Sequence, residues 1–341
     1  MCTPRFAARE ATMSDVDAVP SPRTHQEAAS IARFANDVQY YLKLQPRQLP
    51  SRYLYDALGS ALFDAICLLP WYQITRAEMQ LLAAHGRSIL AHIPHLTTIV
   101  ELGPGSGQKL ATLVRAHRQR SLRLDLHLVD VSPSALALSS RTLSAAGDVR
   151  IVTHEASYEV GLAEVAREAH AGRTLVVLLG SNIGNFDLPG AHAFMRGIRS
   201  ALASGDGLLI GADLVKSERE LLLAYDDPLG VTAAFNRNLL LRIDRELGGD
   251  FDVTAFAHQA VWNETESRVE MHLVSLRRQR VRVAAAELDI VMEEGESIWT
   301  ESSYKYQPAD LVVMLEGAGF KLAEQWIDSQ AAFALTLVEA V

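Results

Sequence analysis

The sequence IVELGPGSGQK, residues 99–109, decides the fold of this chain. An apolar run leads into three glycines spaced two apart, Gly103, Gly105 and Gly107, and a helical pattern follows from about Lys109. A glycine-rich turn between a strand and a helix is typical of α/β proteins that bind a nucleotide-like ligand at the helix N-terminus. The stretch therefore predicts an α/β sheet with a ligand site at one edge.

Strand and helix patterns alternate after this turn. Four more apolar runs predict strands at residues 122–132, 149–156, 174–186 and 206–215. Because helical segments of about 10–15 residues separate the runs, we expect a parallel sheet with helices on both faces. A last helix at about residues 308–318, followed by two strands, supplies an edge and completes a mostly parallel, seven-stranded sheet.

The pattern is different before and after this α/β region. Residues 75–93 predict a long amphipathic helix in which Thr75 and Glu78 are placed as a capping box. After Val215, two helical segments precede antiparallel strands that turn at residues 263–267. The predicted organisation is a disordered tail at 1–25, an N-terminal helical part of a substrate-binding domain at 26–75, an α/β domain at 76–217 and 304–341, and an inserted α+β domain at 218–303.

Composition and charge restrict the class of protein. The chain has 341 residues, a net charge of −9 and 49% hydrophobic residues, which is typical of a globular protein with a large core. The acidic balance argues against nucleic acid and anionic membranes as partners. Only Cys2 and Cys67 are present, so we expect a reducing, cytoplasmic location, and no Cys/His cluster has the spacing of a zinc site. We also expect a monomer.

The glycine spacing distinguishes between possible ligands. A dinucleotide fingerprint, G-x-G-x-x-G, has its third glycine one residue later, and an ATP P-loop has four residues between its glycines. Asp130 ends the second predicted strand, where an acidic residue binds a ribose diol in several families. On the glycines alone NAD remains an alternative. With Glu101 before the glycines and Asp130 after them, the pattern resembles class I methyltransferases that use S-adenosylmethionine (SAM).

A second polar stretch, LLGSNIGNFD, ends the fourth predicted strand. Because ligands of open α/β sheets lie at the carboxyl ends of strands, Ser181, Asn182 and Asn185 are expected in the same crevice. The Asn185 amide both donates and accepts, which suits an amine or a carboxylate of a small substrate. An Asx turn, in which the asparagines cap backbone groups, is the alternative.

Longer motifs extend the resemblance. From about residue 30 to the end, the chain resembles the histidine-specific N-α-methyltransferase family of ergothioneine biosynthesis. The segments that carry this resemblance, in chain order, are YLYDALGSALFDAICLLPWYQITRAE, VELGPGSGQK, LGSNIGNF, DLVKSERELLLAYDDPLGVTAAFNRNLL, RVEMHLV and TESSYKY. The resemblance implies a class I methyltransferase fold, Rossmann-like and α/β, with an inserted α+β substrate-binding domain.

The resemblance also implies a cofactor site for SAM. Its predicted residues are Gly103, Gly105, Lys109, Asp130 and Ser157. Lys109 would lie near the carboxylate of the cofactor. The family carries an acidic residue near the adenine where this chain has Ser157, with Glu155 two residues earlier, so the adenine contact is open between the two.

The implied substrate site draws on distant segments. Its predicted residues are Tyr55, Tyr72, Asn185, Tyr225, Thr232, Met271, Glu301 and Ser303. By resemblance, Tyr225 binds the substrate carboxylate, while Asn185 and Tyr55 orient the α-amine as the catalytic pair. Glu301 and Ser303 hold the imidazole, with Met271 beside it. Two residues apart in an extended segment, Glu301 and Ser303 face the same side and match the two ring nitrogens.

The implied reaction is SAM-dependent trimethylation of the α-amine of L-histidine to hercynine, without a metal. Three alternatives stay open: a relative that methylates another amino acid, an NAD-dependent oxidoreductase, and a module that senses SAM without turnover.

Overall fold

A computed structural model describes residues 22–117, 123–168 and 171–341. The tail predicted at residues 1–25 lies largely outside the described residues, and its last four residues begin the first helix instead. The helices are α1 (Pro22–Leu42), α2 (Ala57–Leu68), α3 (Ile74–Ala91), α4 (Gln108–His117), α5 (Pro133–Ser144), α6 (Tyr158–Val165), α7 (Leu188–Ser200), α8 (Glu218–Tyr225), α9 (Val231–Leu247) and α10 (Pro308–Gly317). Among the described residues, no helix has both the length and the apolar character needed to cross a membrane.

Two sheets and a separate hairpin contain the strands. The strands are β1 (Arg47–Gln48), β2 (Leu96–Leu102), β3 (Leu124–Asp130), β4 (Val149–Glu155), β5 (Arg173–Leu178), β6 (Gly207–Asp213), β7 (Phe256–Asn263), β8 (Arg268–Ser275), β9 (Gln279–Val283), β10 (Leu288–Met292), β11 (Ser297–Tyr304), β12 (Phe320–Asp328) and β13 (Phe333–Ala340).

The larger sheet confirms the predicted α/β fold class. Its order is β12-β13-β6-β5-β2-β3-β4. The five strands β2 to β6 are parallel to one another, and β13 is antiparallel to both of its neighbours. The central strands are apolar throughout because helices cover both faces, and the side chains of β5 from Leu175 to Leu178 are fully buried. The carboxyl ends of β2, β3, β5 and β6 therefore meet at one edge, which positions the polar turns that follow them.

The smaller sheet has the order β1-β11-β8-β7. Strands β7 and β8 form the predicted hairpin, and β11 pairs antiparallel with β8. The β11–β8 register shifts at Thr300: Trp299 pairs with His272, and Glu301 pairs with Met271. This β-bulge at Thr300 places Ile298, Glu301 and Ser303 on the inner face of β11. The predicted domain boundaries stay a prediction.

One local prediction was wrong. Helix α3 begins at Ile74 with Gln73 as its N-cap, and no side chain caps it. Thr75 is therefore inside the first turn instead of preceding it. The Glu78 side chain is fully buried and directed away from the helix end, because it binds groups of the larger sheet described below.

Candidate active site

The glycine turn after β2 requires glycine for two separate reasons. Gly103, Gly105 and Gly107 have φ values of 76°, 52° and 75°, a backbone region that side chains rarely adopt. A Cβ on Gly107 would lie 2.9 Å from Cα of Ser139, and one on Gly103 would lie 2.5 Å from the Tyr158 hydroxyl. At Gly105 nothing lies within 4 Å. The turn thus packs tightly on both sides and leaves an open approach at Gly105.

Lys109, in the first turn of α4, is fixed by a carboxylate from α3. Its Nζ lies 2.6 Å from Oε2 of Glu78. The same carboxylate accepts the backbone N–H of Gly180, which donates to both oxygens at 2.9 and 2.8 Å. Glu78 therefore connects the glycine turn to the loop that follows β5. The prediction of a capping box did not indicate these long-range contacts of Glu78.

Buried carboxyl groups lie beside the turn. The pKa of Glu101 is raised to about 8, mainly by burial; Lys109 opposes this shift, and Glu78 and Asp130 add to it. Its Oε2 has no hydrogen-bond partner among the described residues. Burial also raises the pKa of Asp130, whose Oδ1 accepts the N–H of Ser132 at 2.8 Å. A ligand with N–H and O–H donors, such as the ammonium and ribose hydroxyls of SAM, fits these two carboxyl groups.

Two residues, Ser157 and Glu155, are candidates for the contact with the adenine of SAM. Ser157 is exposed, precedes α6 as its N-cap residue and makes no side-chain capping bond. Glu155 is also exposed, at the end of β4. Either side chain is accessible to a ligand, so the assignment of Ser157 stays a prediction.

All eight predicted substrate residues line one cavity. Of the cavity's eight other residues, five have aromatic or aliphatic side chains and three follow β5. The cavity is lined by Tyr55, Phe63, Ile66, Tyr72, Ile74, Gly180, Ser181, Asn182, Asn185, Ala224, Tyr225, Thr232, Phe235, Met271, Glu301 and Ser303. It is bounded by α2, α8, α9, the loop after β5 and the inner face of the smaller sheet. The structure therefore brings these distant segments together.

Tyr225 and Ser303 form one polar end of the cavity. The Tyr225 hydroxyl donates to Oγ of Ser303 at 2.8 Å. Nζ of Lys305 donates to the Tyr225 hydroxyl at 2.8 Å and to Ser303 Oγ at 2.9 Å. Burial raises the pKa of Tyr225, although Lys305 lowers it, so the hydroxyl keeps its proton at neutral pH. Two predicted residues thus share a partner, Lys305, that sequence reasoning did not single out.

Glu301 and Met271 lie opposite each other on β11 and β8. Burial raises the pKa of Glu301 to about 7, although Lys305 lowers it. Met271 is buried beside it. The inner face of the smaller sheet therefore presents one titratable acceptor, beside an apolar thioether, to the cavity.

Aromatic side chains form the opposite wall. The ring centroids of Tyr55 lie 5.5 Å from those of Phe63 and Phe235, and Tyr72 lies 6.3 Å from Tyr225. Burial raises the pKa of both Tyr55 and Tyr72 well above the ordinary value, with smaller contributions from nearby groups. Their hydroxyls are neutral donors or acceptors at physiological pH. Phe63 and Phe235 were not predicted, because aromatic residues at helical spacing are usual in a core.

Asn185 is held in place by the loop that follows β5. This loop contains Ser181 in a left-handed conformation (φ 59°) and a short 3₁₀ helix, Asn182–Asn185. Oγ of Ser181 accepts the N–H of Asp213 at 2.9 Å, which attaches the loop to the end of β6. The N-terminus of α9 is held similarly, since Asp227 accepts the N–H of Thr232 at 2.7 Å. Both Asn185 and Thr232 are thereby fixed at the cavity.

One His/Glu group in the described part of the chain could hold a metal ion, and it does not line the cavity. It consists of His127, His154 and Glu168. Nδ1 of His127 lies 3.0 Å from Nε2 of His154, and Nδ1 of His154 lies 3.0 Å from Glu164. The prediction that the active site uses no metal stays a prediction.

Comparisons with known proteins agree with this geometry. A family model described as "Histidine-specific methyltransferase, SAM-dependent" matches residues 34–340. The chain is 40% identical over 302 residues to a histidine N-alpha-methyltransferase of Mycolicibacterium smegmatis, covering 88% of this chain and 93% of that one. A protein with the same description from Mycobacterium tuberculosis is 41% identical over 313 residues, 91% and 96% of the two chains.

A more distant relative is larger. Ergothioneine biosynthesis protein 1 of Neurospora crassa is 27% identical over 270 residues, which is 75% of this chain and 31% of that protein. The family match spans nearly all described residues, including the glycine turn and the cavity. The chain therefore belongs to the family of SAM-dependent, histidine-specific methyltransferases.

Proposed function

We propose that this protein transfers three methyl groups from SAM to the α-amine of L-histidine and forms hercynine, the first step of ergothioneine biosynthesis. The relatives from the two mycobacterial species, which match over nearly their whole length, support the choice of histidine. The Neurospora crassa protein supports the assignment to ergothioneine biosynthesis. Conversion of the α-ammonium form of histidine to a trimethylammonium releases three protons in total, one of them before the first transfer.

One observation of the structure carries the proposal. Glu301 and Ser303 face the same cavity as Tyr225 and Asn185, at the edge of the sheet where the glycine turn lies. A histidine needs partners for an imidazole N–H, an imidazole lone pair, a carboxylate and an amine. The carboxylate of Glu301 accepts the ring N–H, the Ser303 hydroxyl donates to the other nitrogen, and the Tyr225 hydroxyl donates to the substrate carboxylate.

The side chains of this protein prepare the amine. An ammonium has no lone pair, so the α-amine must be neutral before it reacts. Its pKa in a peptide is near 8, and the carboxylate of a free amino acid raises this pKa further, so deprotonation at neutral pH has a free-energy cost that the site must offset. The Asn185 amide and the Tyr55 hydroxyl orient the amine, and they tolerate replacement of N–H by methyl because each can donate or accept. Positioning of this kind supplies about 7–11 kcal/mol in well-oriented systems.

SAM supplies the methyl group on a sulfonium, whose positive charge also disfavours a neighbouring ammonium. Glu101, Lys109 and Asp130 would hold its polar groups, and the open backbone at Gly105 leaves room for it. Transfer from a sulfonium to an amine needs no Lewis acid, so we propose a reaction without a metal. We further propose that the protein acts as a monomer in the cytoplasm.

Each of the three alternative functions would require different residues in the cavity or in the glycine turn. An enzyme for an amino acid without a side-chain N–H or O–H would leave Glu301 without a donor, which is unfavourable for a carboxylate in this cavity. An NAD-dependent oxidoreductase would need the third glycine one residue later than Gly107. A non-catalytic SAM sensor would not need the Asn185 and Tyr55 pair at the amine.

A mass-spectrometric assay tests the proposal. The protein is incubated with SAM and each of the twenty amino acids separately, and the masses of the products are measured. We expect histidine alone to gain three methyl groups. Trimethylation of a different amino acid, or SAM binding without any methylated product, would show that the proposed function is wrong.

A further inference from the structure

Lys305 is a buried cation at the polar end of the cavity. Its side chain is fully buried, directly after the last residue of β11. It donates to the hydroxyls of Tyr225 and Ser303 at 2.8 and 2.9 Å and forms an ion pair with Oδ2 of Asp213 at 3.0 Å. It does not line the cavity itself, so it reaches a substrate only through the two hydroxyls.

The charge around Lys305 is asymmetric. Asp213 also pairs with Lys216, whose Nζ lies 2.6 Å from Oδ1. One carboxylate therefore serves two ammonium groups at the end of β6. Burial alone lowers the pKa of Lys305, but Tyr225 and Asp213 outweigh burial and raise it above the ordinary value, so the ammonium stays charged. The group formed by Lys305, Lys216 and Asp213 thus has a net positive charge behind Tyr225 and Ser303. Glu301, the other carboxyl group near Lys305, has a pKa raised to about 7 by burial and is only partly ionised at neutral pH.

The hydrogen-bond directions follow from the chemistry of the ammonium. It has three donors and no acceptor. Both hydroxyl oxygens must therefore accept from Lys305, and neither hydroxyl hydrogen can point towards it. Without a substrate Tyr225 donates to Ser303. Because Lys305 also donates to the Ser303 oxygen, Tyr225 can turn its hydrogen to a substrate carboxylate, while the Ser303 hydrogen stays available for the imidazole. A substrate atom at this end has to be an acceptor, and an anion is favoured.

We propose that Lys305 is a positioning residue that keeps the Tyr225 hydroxyl available as a donor to the substrate carboxylate and thereby makes the enzyme require an ionised carboxylate on its substrate. This inference rests on the proposed function, because it takes histidine as the ligand. Lys305 acts through the two hydroxyls and touches no reacting atom.

The experiment compares ligands with and without the carboxylate. The affinities of histidine and of histamine, which lacks the carboxylate, are measured for the wild type, for Lys305→Met and for Lys305→Arg. We expect Lys305→Met to weaken histidine about 10- to 100-fold, because bonds supported by a charged group are lost, and to change histamine by less than about threefold. Lys305→Arg keeps the charge and is expected to retain most of the preference.

Lys216→Met is the matched control. Lys216 shares Asp213 with Lys305, yet no bond joins it to Tyr225 or Ser303 among the described contacts. We expect this variant to keep the wild-type ratio of the two affinities within about twofold. An equal loss of both ligands in Lys305→Met, or no loss of either, contradicts the inference.

Removal of Lys305 leaves the buried Asp213 with one partner fewer, so folding must be followed separately. The double variant Lys305→Met/Asp213→Asn removes both charges and is expected to show the same loss of preference as Lys305→Met. If neither variant folds, Lys305 is a structural residue and the inference is wrong. If the wild type does not methylate histidine, the proposed function fails, and the comparison is repeated with the accepted amino acid and its decarboxylated amine.

Discussion

Glu301 is a carboxyl group in surroundings that oppose its charge. Burial raises its pKa from 4.5 to about 7, so the group is only partly ionised at neutral pH. A raised pKa means that the folded state binds the proton more tightly than the unfolded state does. The stability that this proton contributes is complete below about pH 4.5 and is lost as the pH rises through about 7. The ionised Glu301 therefore destabilises the ligand-free protein at alkaline pH.

At the residue scale, we predict opposite effects of Glu301→Gln on stability and binding. At pH 8 the ligand-free variant should be more stable than the wild type by up to about 3 kcal/mol, and the difference should fall to about 1 kcal/mol or less at pH 5. Histidine affinity should fall about tenfold or more, because a charged acceptor is lost. Urea denaturation at both pH values and calorimetric titration check this.

The exposed Glu294 offers a control, since Glu294→Gln should change neither quantity. A Glu301→Gln variant that binds histidine as tightly as the wild type would contradict the role of Glu301. Equal stability differences at pH 5 and pH 8 would contradict the stated cause of its raised pKa.

Individual residues differed in how well the sequence predicted them. Glu301, Ser303 and Tyr225 were identified through family motifs, and the structure places them in one cavity. Lys305 stands in the same motif, TESSYKY, but a lysine near a chain of polar residues is usually solvated, and only its complete burial reveals its role. Glu78 was misassigned because its spacing from Thr75 matches a local helix cap, whereas its partners are 31 and 102 residues away.

At the element scale, the bulge in β11 could not be predicted from alternation. In a regular strand Ile298 and Glu301 would face opposite sides. The extra residue, Thr300, donates to Oδ1 of Asn236 at 2.6 Å and to the carbonyl of Met271 at 3.0 Å, which fixes the bulge. As a result, Glu301 and Ser303 share the inner face with the core residue Ile298. Sequence periodicity predicted which residues face together, but not which side they face.

The contact between α3 and β6 gives a second prediction at this scale. A Cβ on Gly211 of β6 would lie 1.9 Å from Oε1 of Glu78. Gly211→Ala should therefore displace this carboxylate and break its bonds to Gly180 and Lys109. We expect a loss of about 2–4 kcal/mol in the free energy of unfolding, together with weaker SAM binding. Urea denaturation and calorimetry measure the two effects.

Gly197 in α7 provides the matched control, because a Cβ there would meet nothing within 4 Å. Gly197→Ala should be neutral or more stable by up to about 1 kcal/mol, since alanine is the better helix former. If Gly211→Ala is as stable as Gly197→Ala, then Glu78 moves without cost and does not connect the two loops.

At the scale of the whole molecule, the larger sheet and its parallel arrangement were more predictable than the cavity. Alternating strand and helix patterns are local signals, and they were sufficient to predict the larger sheet. The cavity combines α2, α8, α9, β11 and the loop after β5, and no local signal specifies how such distant segments meet. Only the resemblance to a family indicated that they would.

Ligand-induced stabilisation of the whole protein distinguishes the two nucleotide ligands. At one hundred times its dissociation constant, SAM should stabilise the fold by about 2.7 kcal/mol, because it binds only the folded state. NAD at the same concentration should produce no change in the melting temperature. A shift with NAD and none with SAM would favour the oxidoreductase alternative and would contradict the fit of SAM to Glu101 and Asp130.

Glu78 has a consequence for how the two ligands influence each other's binding. Its carboxylate touches Lys109 on the donor side and the N–H of Gly180 at the start of the loop that carries Asn185 on the acceptor side. The two sites are then parts of one linked equilibrium. Whatever factor SAM introduces into the affinity for the amino acid, the amino acid must introduce into the affinity for SAM. Over three rounds of transfer, a retained amino acid would therefore also influence the exchange of spent donor for fresh donor.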